Sequence, residues 1–205
     1  STVGCHLLIA DGLKGTDEVY VPVEGGQYVR EAKIGRAVMD ADVVISLNHF
    51  KGHEATGFGG ALKNLSIGCA SSEGKAWIHS GGTSRTSAWG GDQDVFLEAM
   101  GDAGKSVSDY LGNGERIVYI NVMNRLSVDC DCDGNPAEPD MHDIGILASS
   151  DPVALDQACI DLVYAAPNHE SLADRIESRN GIHTLENAEA IGLGSRAYHL
   201  VNLDG

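Results

Sequence analysis

The stretch that most constrains this chain is residues 49–79, which follow a short apolar, β-branched run, Asp42-Val43-Val44-Ile45-Ser46-Leu47. That run predicts a buried parallel strand. Directly after it come His49-Phe50-Lys51-Gly52-His53, then Gly57-Phe58-Gly59-Gly60-Ala61-Leu62-Lys63-Asn64, Gly68-Cys69-Ala70-Ser71, Lys75 and His79. Three imidazoles, three lysines and a thiol thus sit just past a strand's carboxyl end, where open α/β sheets bind ligands. Gly57, Gly59 and Gly60 would let backbone N–H groups approach an anion at the amino end of a helix predicted over about 59–67. The pattern is not a Walker loop, because no Gly-Lys-Ser/Thr closes it. It also lacks the third glycine of a dinucleotide fingerprint.

The rest of the chain alternates strand and helix signals. Strands are predicted at 7–10, 18–23, 116–122, 144–148 and 198–203. Helices are predicted at 28–40, at 94–111 from a stripe running from Val95 to Leu111, and after Asp151-Pro152, an N-cap with proline at the first helical position. Two more helices are predicted at 171–178 and 184–191, and the glycine-rich segment 80–92 reads as a loop beside the site. The expectation is an α/β fold, with a mostly parallel or mixed sheet and helices on both faces. Residues 1–205 read as a single domain. Because the sequence opens at Ser1 and almost at once enters an apolar strand, it reads as the C-terminal part of a longer protein whose N-terminal domain is missing.

Charge narrows the partners. Lys+Arg 14 against Asp+Glu 30 gives a net charge of -16, a field that repels nucleic acid and anionic membrane. A small anionic ligand would have to be held locally, by Lys51, Lys63 and Lys75, three of the chain's few lysines. Five cysteines at 5, 69, 130, 132 and 159 do not form a secreted disulfide framework, which points to a reducing cytoplasm. No apolar run is long enough to span a bilayer.

The chemical groups allow several readings. His53 and His79, bracketing Lys63, suit metal ligation or acid/base work, although each could simply close a turn. Lys63 could anchor an anion, carry a covalent cofactor or be a surface charge. Lys75 is a surface charge or an anion contact, and Cys69 is a soft ligand or an ordinary buried residue. Cys130 and Cys132, in Asp129-Cys130-Asp131-Cys132-Asp133-Gly134, would offer two soft ligands on one side of an extended segment; the flanking acids favour a bound cation. The same residues mimic the start of a calcium loop, but Pro136, Pro139 and a preceding strand argue against it. His142, Asp143, Asp151 and Asp156 could orient the histidines.

Across most of the chain, HFKGHEATGFGGALKNLSIGCASSEGK, DCDC and SSDPVALDQACIDLV resemble the domain-of-unknown-function 362 family of bacteria and archaea. Its members often carry ferredoxin-type clusters, and its chemistry is largely unassigned. Relatives commonly have a cysteine-rich ferredoxin insertion near residues 80–92; this chain has no cysteine between Cys69 and Cys130. Residues 53–79 locally resemble the nickel-pincer lactate racemase family. That resemblance implies a pincer nucleotide joined to Lys63 and a histidine completing the nickel coordination. The candidate catalytic residues are therefore His53, Lys63 and His79, and the candidate cofactor-binding residues Lys63, Gly57, Gly59, Gly60 and Lys75. The candidate metal ligands are His53, His79, Cys69, Cys130 and Cys132. Two functions follow. One is an enzyme domain using a metal or metal-containing cofactor on a small hydroxy or carboxylic acid. The other is an iron-sulfur or other metal-binding redox module, with a ferredoxin-type partner and no turnover of its own.

Overall fold

A computed structural model describes residues 4–88 and 91–204. Two residues of the expected 80–92 loop, Trp89 and Gly90, lie outside it, as does Ser1. The main sheet has three strands. β3 (Val44–His49) runs parallel to β6 (Ile117–Met123), with Val44 opposite Ile117 and His49 opposite Val122. β6 is antiparallel to β7 (Gly145–Ser149), so the strand order is β3-β6-β7 and the sheet is mixed. Two small hairpins flank it: β1 (Glu18–Pro22) with β2 (Glu31–Gly35), and β4 (Lys51–His53) with β5 (Gly57–Gly59).

The helices complete an α/β fold. They are α1 (Arg36–Met39), α2 (Ala61–Lys63) continued by a π-helical turn (Asn64–Gly68), α3 (Ser72–His79), α4 (Gln93–Tyr110), α5 (Pro152–Ala165), α6 (Glu170–Ser178) and α7 (His183–Ala190). Asp92 caps α4, and Asp151 caps α5 by accepting the N–H groups of Val153 and Ala154, each satisfying donors that the first helical turn cannot. Among the described residues no helix is long and apolar enough to cross a membrane.

Alternation along the strands divides the sheet into unequal faces. Ile117, Tyr119, Asn121 and Met123 are buried on the side of α2 and α5, and the Tyr119 hydroxyl reaches Ser108 of α4. Ile45, Leu47 and Ile146 point the other way and are 67%, 69% and 70% exposed. α2 and α5 pack against this sheet, and among the described residues Ile45, Leu47 and Ile146 leave apolar surface on the face away from Ile117 and Tyr119. β3 is also an open edge.

Three expected elements differ. Residues 7–10 form no strand, and Leu7 and Leu8 are exposed. Residues 198–203 form none either; Leu200, Val201 and Leu203 face solvent, while the Tyr198 hydroxyl donates to Asp161 at 2.7 Å. Both segments have the composition of strands but pair with none, and apolar strand-like sequence without a ladder partner stays irregular. In 28–40, the helical spacing of Val29, Ala32, Ala37 and Val38 is overridden by pairing of β2 with β1, leaving only Arg36–Met39 helical.

Candidate metal and anion site

The site forms because one glycine lets two segments touch. After β3 the chain turns at Phe50, whose N–H donates to the Val122 carbonyl, and the Gly52 N–H donates to the Ser127 carbonyl at 2.8 Å. A Cβ on Gly52 would stand 2.0 Å from the Val128 carbonyl oxygen, so only glycine allows β4 to lie against the segment leaving β6. Arg175 of α6 holds the same segment, bonding the Val128 carbonyl at 3.2 Å and Asp129 at 3.3 Å. Phe50 and Phe58 stack at 5.6 Å beneath the hairpin, a contact worth roughly 1 kcal/mol beyond its burial.

These contacts bring His53, Cys130 and Cys132 together, with an imidazole nitrogen and both sulfurs all within 4.8 Å of one another. The Cys132 thiol donates to the Cys130 sulfur at 2.8 Å. That bond, followed by burial and the neighbouring Cys130 charge, raises the Cys132 pKa, while the Lys63 ammonium pulls it down. The trio has a donor set suited to a thiophilic ion such as zinc, or to iron in a sulfur-bound cluster. His53 carries a constraint. Its Nδ1 accepts from the N–H groups of Ala55 and Thr56 at 3.1 and 3.2 Å, so the neutral ring holds its proton on Nε2. In this arrangement His53 is a hydrogen-bond donor towards whatever the sulfurs hold, and it must shed that proton to ligate through Nε2. Burial first, then the charges of Lys63, Lys51 and His79, push its pKa down to about 3.

His79 is oriented the opposite way. Its Nδ1–H donates to the Lys75 carbonyl at 2.7 Å, which leaves the lone pair on Nε2, and the ring stacks on Phe96 at 4.7 Å. Burial lowers its pKa, and the Lys63 charge adds to that. Two histidines of similar appearance in sequence thus offer different chemistry: a donor at 53 and a lone pair at 79.

Lys63 stands beside the thiols. Burial and the charge of Lys51 lower its pKa, and Cys130 and Cys132 oppose them. Lys51 is 4% exposed and, among the described residues, its ammonium makes no hydrogen bond or ion pair. Its Nζ occupies the space above Gly59, 2.7 Å from where a Cβ would be.

The remaining candidates fall elsewhere. Cys69 lines a hollow with Leu8, Val44, Leu65 and Ile117, away from the trio, and burial pushes its thiol up to about 11. Lys75 lies 3.7 Å from Asp11 with its side chain 43% exposed. The helix end expected to receive an outside anion is already filled. The N–H groups of Ala61 and Leu62 donate to Asp156 at 2.8 and 2.9 Å, and Gly60 leaves room for that carboxylate, since a Cβ there would lie 2.4 Å from its oxygen. Gly57, at φ +79, closes the hairpin against α6. Asp156 therefore caps α2 and receives the Asn121 amide, Asp151 caps α5, and Asp143 accepts the Arg125 N–H, so none of the three orients a histidine of the site. The acids around the thiols are engaged too: Asp129 by Arg175 and the Ala137 N–H, Asp131 by His49, Asp133 by the Asn135 N–H. They do not converge on a calcium.

Comparison with known families now bears on this geometry. Residues 2–161, which contain Lys51, His53, Lys63, His79, Cys130 and Cys132, match the family described as domain of unknown function DUF362. The chain belongs to that family. This DUF362 chain is also 28% identical over 163 residues to thylakoid-associated protein sll1697 of Synechocystis sp., a match covering 76% of this chain and 44% of that protein. The chain thus spans less than half the length of that relative. No solved structure matches it.

Sequence reasoning named Lys51 as an anion-holding charge but missed its burial, and it passed over Gly52 as the point of closest approach and Arg175 as the clamp on the thiol segment. A signal for the first was present in His49-Phe50-Lys51-Gly52-His53, where a lysine takes a position that a strand hairpin buries.

Proposed function

We propose that this DUF362 domain holds a thiophilic metal ion, or a metal-containing cofactor, on Cys130 and Cys132, and acts there on a small anionic substrate. The observation that carries the reading is the meeting of His53, Cys130 and Cys132 within 4.8 Å, beside lysines that lack counter-ions. A bound metal would supply Lewis acidity or redox capacity. Lys63 would hold negative charge next to the sulfurs. His53, with its proton on Nε2, would donate to a substrate or cofactor atom, and His79, with its lone pair on Nε2, would ligate or accept a proton. A nickel-pincer nucleotide joined to Lys63 is the finest form of this reading, and His79 has the tautomer a nickel ligand needs. Proton or hydride movement on a hydroxy or carboxylic acid is the matching reaction.

A redox module is the second reading, favoured by the paired thiols; it would hold an iron-sulfur cluster without turnover and exchange electrons with a ferredoxin-type partner. In either case the domain would work in a reducing cytoplasm of a bacterium or archaeon, as part of a longer protein whose remaining portion covers the bare sheet face. The relative named for the thylakoid suggests that such a protein can also work beside a membrane.

Elemental analysis of protein purified under anaerobic conditions tests the proposal. The expectation is close to one equivalent of a thiophilic metal, lost in the Cys130→Ser, Cys132→Ser double variant. Iron with acid-labile sulfide would select the redox reading, and a nucleotide-sized mass increment on Lys63 the pincer form. Equal metal content in the double variant and the parent would overturn the assignment to the thiols.

A further inference from the structure

Buried cations in proteins are matched by acids or by ligands, because an isolated charge is expensive to remove from water. Lys51 is matched by neither. It is nine-tenths buried or more, no acid lies within ion-pair reach of it among the described residues, and Gly59 leaves its Nζ a place to stand. A second unpaired ammonium, Lys63, is close enough for the two charges to act on each other, and both act on His53. The acid that acts on Lys51, Asp156, does so from beyond ion-pair reach and spends its oxygens on Ala61, Leu62 and Asn121, and Asp129 is held by Arg175. Lys75 already faces Asp11.

We infer that Lys51 and Lys63 form a subsite for a doubly charged oxyanion, of the phosphate or dicarboxylate kind, next to the Cys130–Cys132 thiols. Two fixed positive charges on one wall select for two negative ones. A monoanion leaves one ammonium uncompensated in a poorly solvated place, whereas a dianion neutralises both. The inference refines the substrate class in the reading above and rests on that reading for the neighbouring metal, but the burial of Lys51 without an ion-pair partner, its Nζ standing over Gly59, does not depend on it.

Calorimetric titration of the intact protein separates the two. The probes are inorganic phosphate, malonate and acetate, each at constant ionic strength, and metal content is measured on the same samples. Phosphate or malonate is expected to bind at least tenfold more tightly than acetate, with phosphate against malonate deciding between the two kinds of dianion. Lys51→Met and Lys63→Met should each erase that preference, and Lys75→Met should keep it. Circular dichroism of each variant confirms that it is folded, with Lys51→Gln as the alternative should the methionine variant fail to fold. Retained dianion preference in folded Lys51→Met or Lys51→Gln protein, or equal binding of all three anions by the parent, would overturn the subsite. Metal-free protein that still prefers dianions would sink the metal reading and leave the subsite in place.

Discussion

Two lysines are buried to nearly the same depth in this protein and are treated in opposite ways. Lys33, 2% exposed in the β1–β2 hairpin, bonds Glu73, has Glu18 at 3.8 Å and lies 5.0 Å from the centre of the Tyr20 ring. Lys51, 4% exposed in the β4–β5 hairpin, has no such partner among the described residues. Both hairpins are short, and both bury a cation at a strand position. One is sealed by the chain's own acids and serves the fold; the other stands near His53 and Lys63, with Asp156 acting on it from beyond ion-pair reach. Depth of burial does not separate these two lysines; completeness of their partners does.

The comparison can be broken first at Lys33. Lys33→Met strips Glu18 of its buried partner and should lower unfolding stability by about 3 kcal/mol, read from the urea midpoint. A change smaller than about 1 kcal/mol would mean that Lys33 is no more structural than Lys51.

Next comes the pH dependence of the open site. His53 has a folded-state value of about 3 against 6.5 unfolded, so the unfolded chain takes up the proton first. Its contribution is full above pH 6.5 and is lost as pH falls from there towards 3; the shift alone corresponds to about 5 kcal/mol, which solvent screening of the partly exposed ring reduces to roughly 2. Asp156 runs the other way. Burial raises it to about 6, so its contribution is present below 3.8 and is lost as pH rises through 6. Comparing the parent with His53→Gln removes the Asp156 term, and the variant should show the shallower loss of stability on acidification. Identical slopes would place His53 in water.

The mirror experiment at Lys51 should give the opposite sign. Lys51→Met removes an unpaired buried charge and should leave the ligand-free protein unchanged or up to about 1 kcal/mol more stable. Destabilisation of the size expected at Lys33 would reveal a partner that the geometry does not contain. The smallest effect on stability belongs to Gly59→Ala, within about 0.5 kcal/mol, because the atom its Cβ meets is the end of a flexible side chain. Anion binding should nonetheless fall, since the Nζ must leave its place.

Much of this was legible in the sequence where local chemistry decides the outcome. The strand at β6, the long helix α4 with its apolar stripe, and the Asp151-Pro152 start of α5 all carry their own signals of period, cap and breaker. So did the meeting of the 49–63 and 129–133 segments, because both follow strands of one sheet. What was not legible depends on partners distant in sequence. Nothing near residue 61 says that an aspartate 95 positions later fills the amino end of α2. Nothing near Lys33 or Lys51 says which has acids opposite. The strand-like segments 7–10 and 198–203 read correctly as apolar and β-prone, but a strand needs a neighbour, and the open edge of β3 and the bare face with Ile45, Leu47 and Ile146 show that the sheet stops short of them.

We propose Cys130 and Cys132 as metal ligands lying beside an anion site. X-ray absorption on anaerobically purified, metal-loaded protein tests it most directly. The account predicts two sulfur neighbours at about 2.3 Å if the metal is zinc, and their loss in the Cys130→Ser, Cys132→Ser variant. A bound metal surrounded only by oxygen and nitrogen, unchanged in that variant, would contradict it.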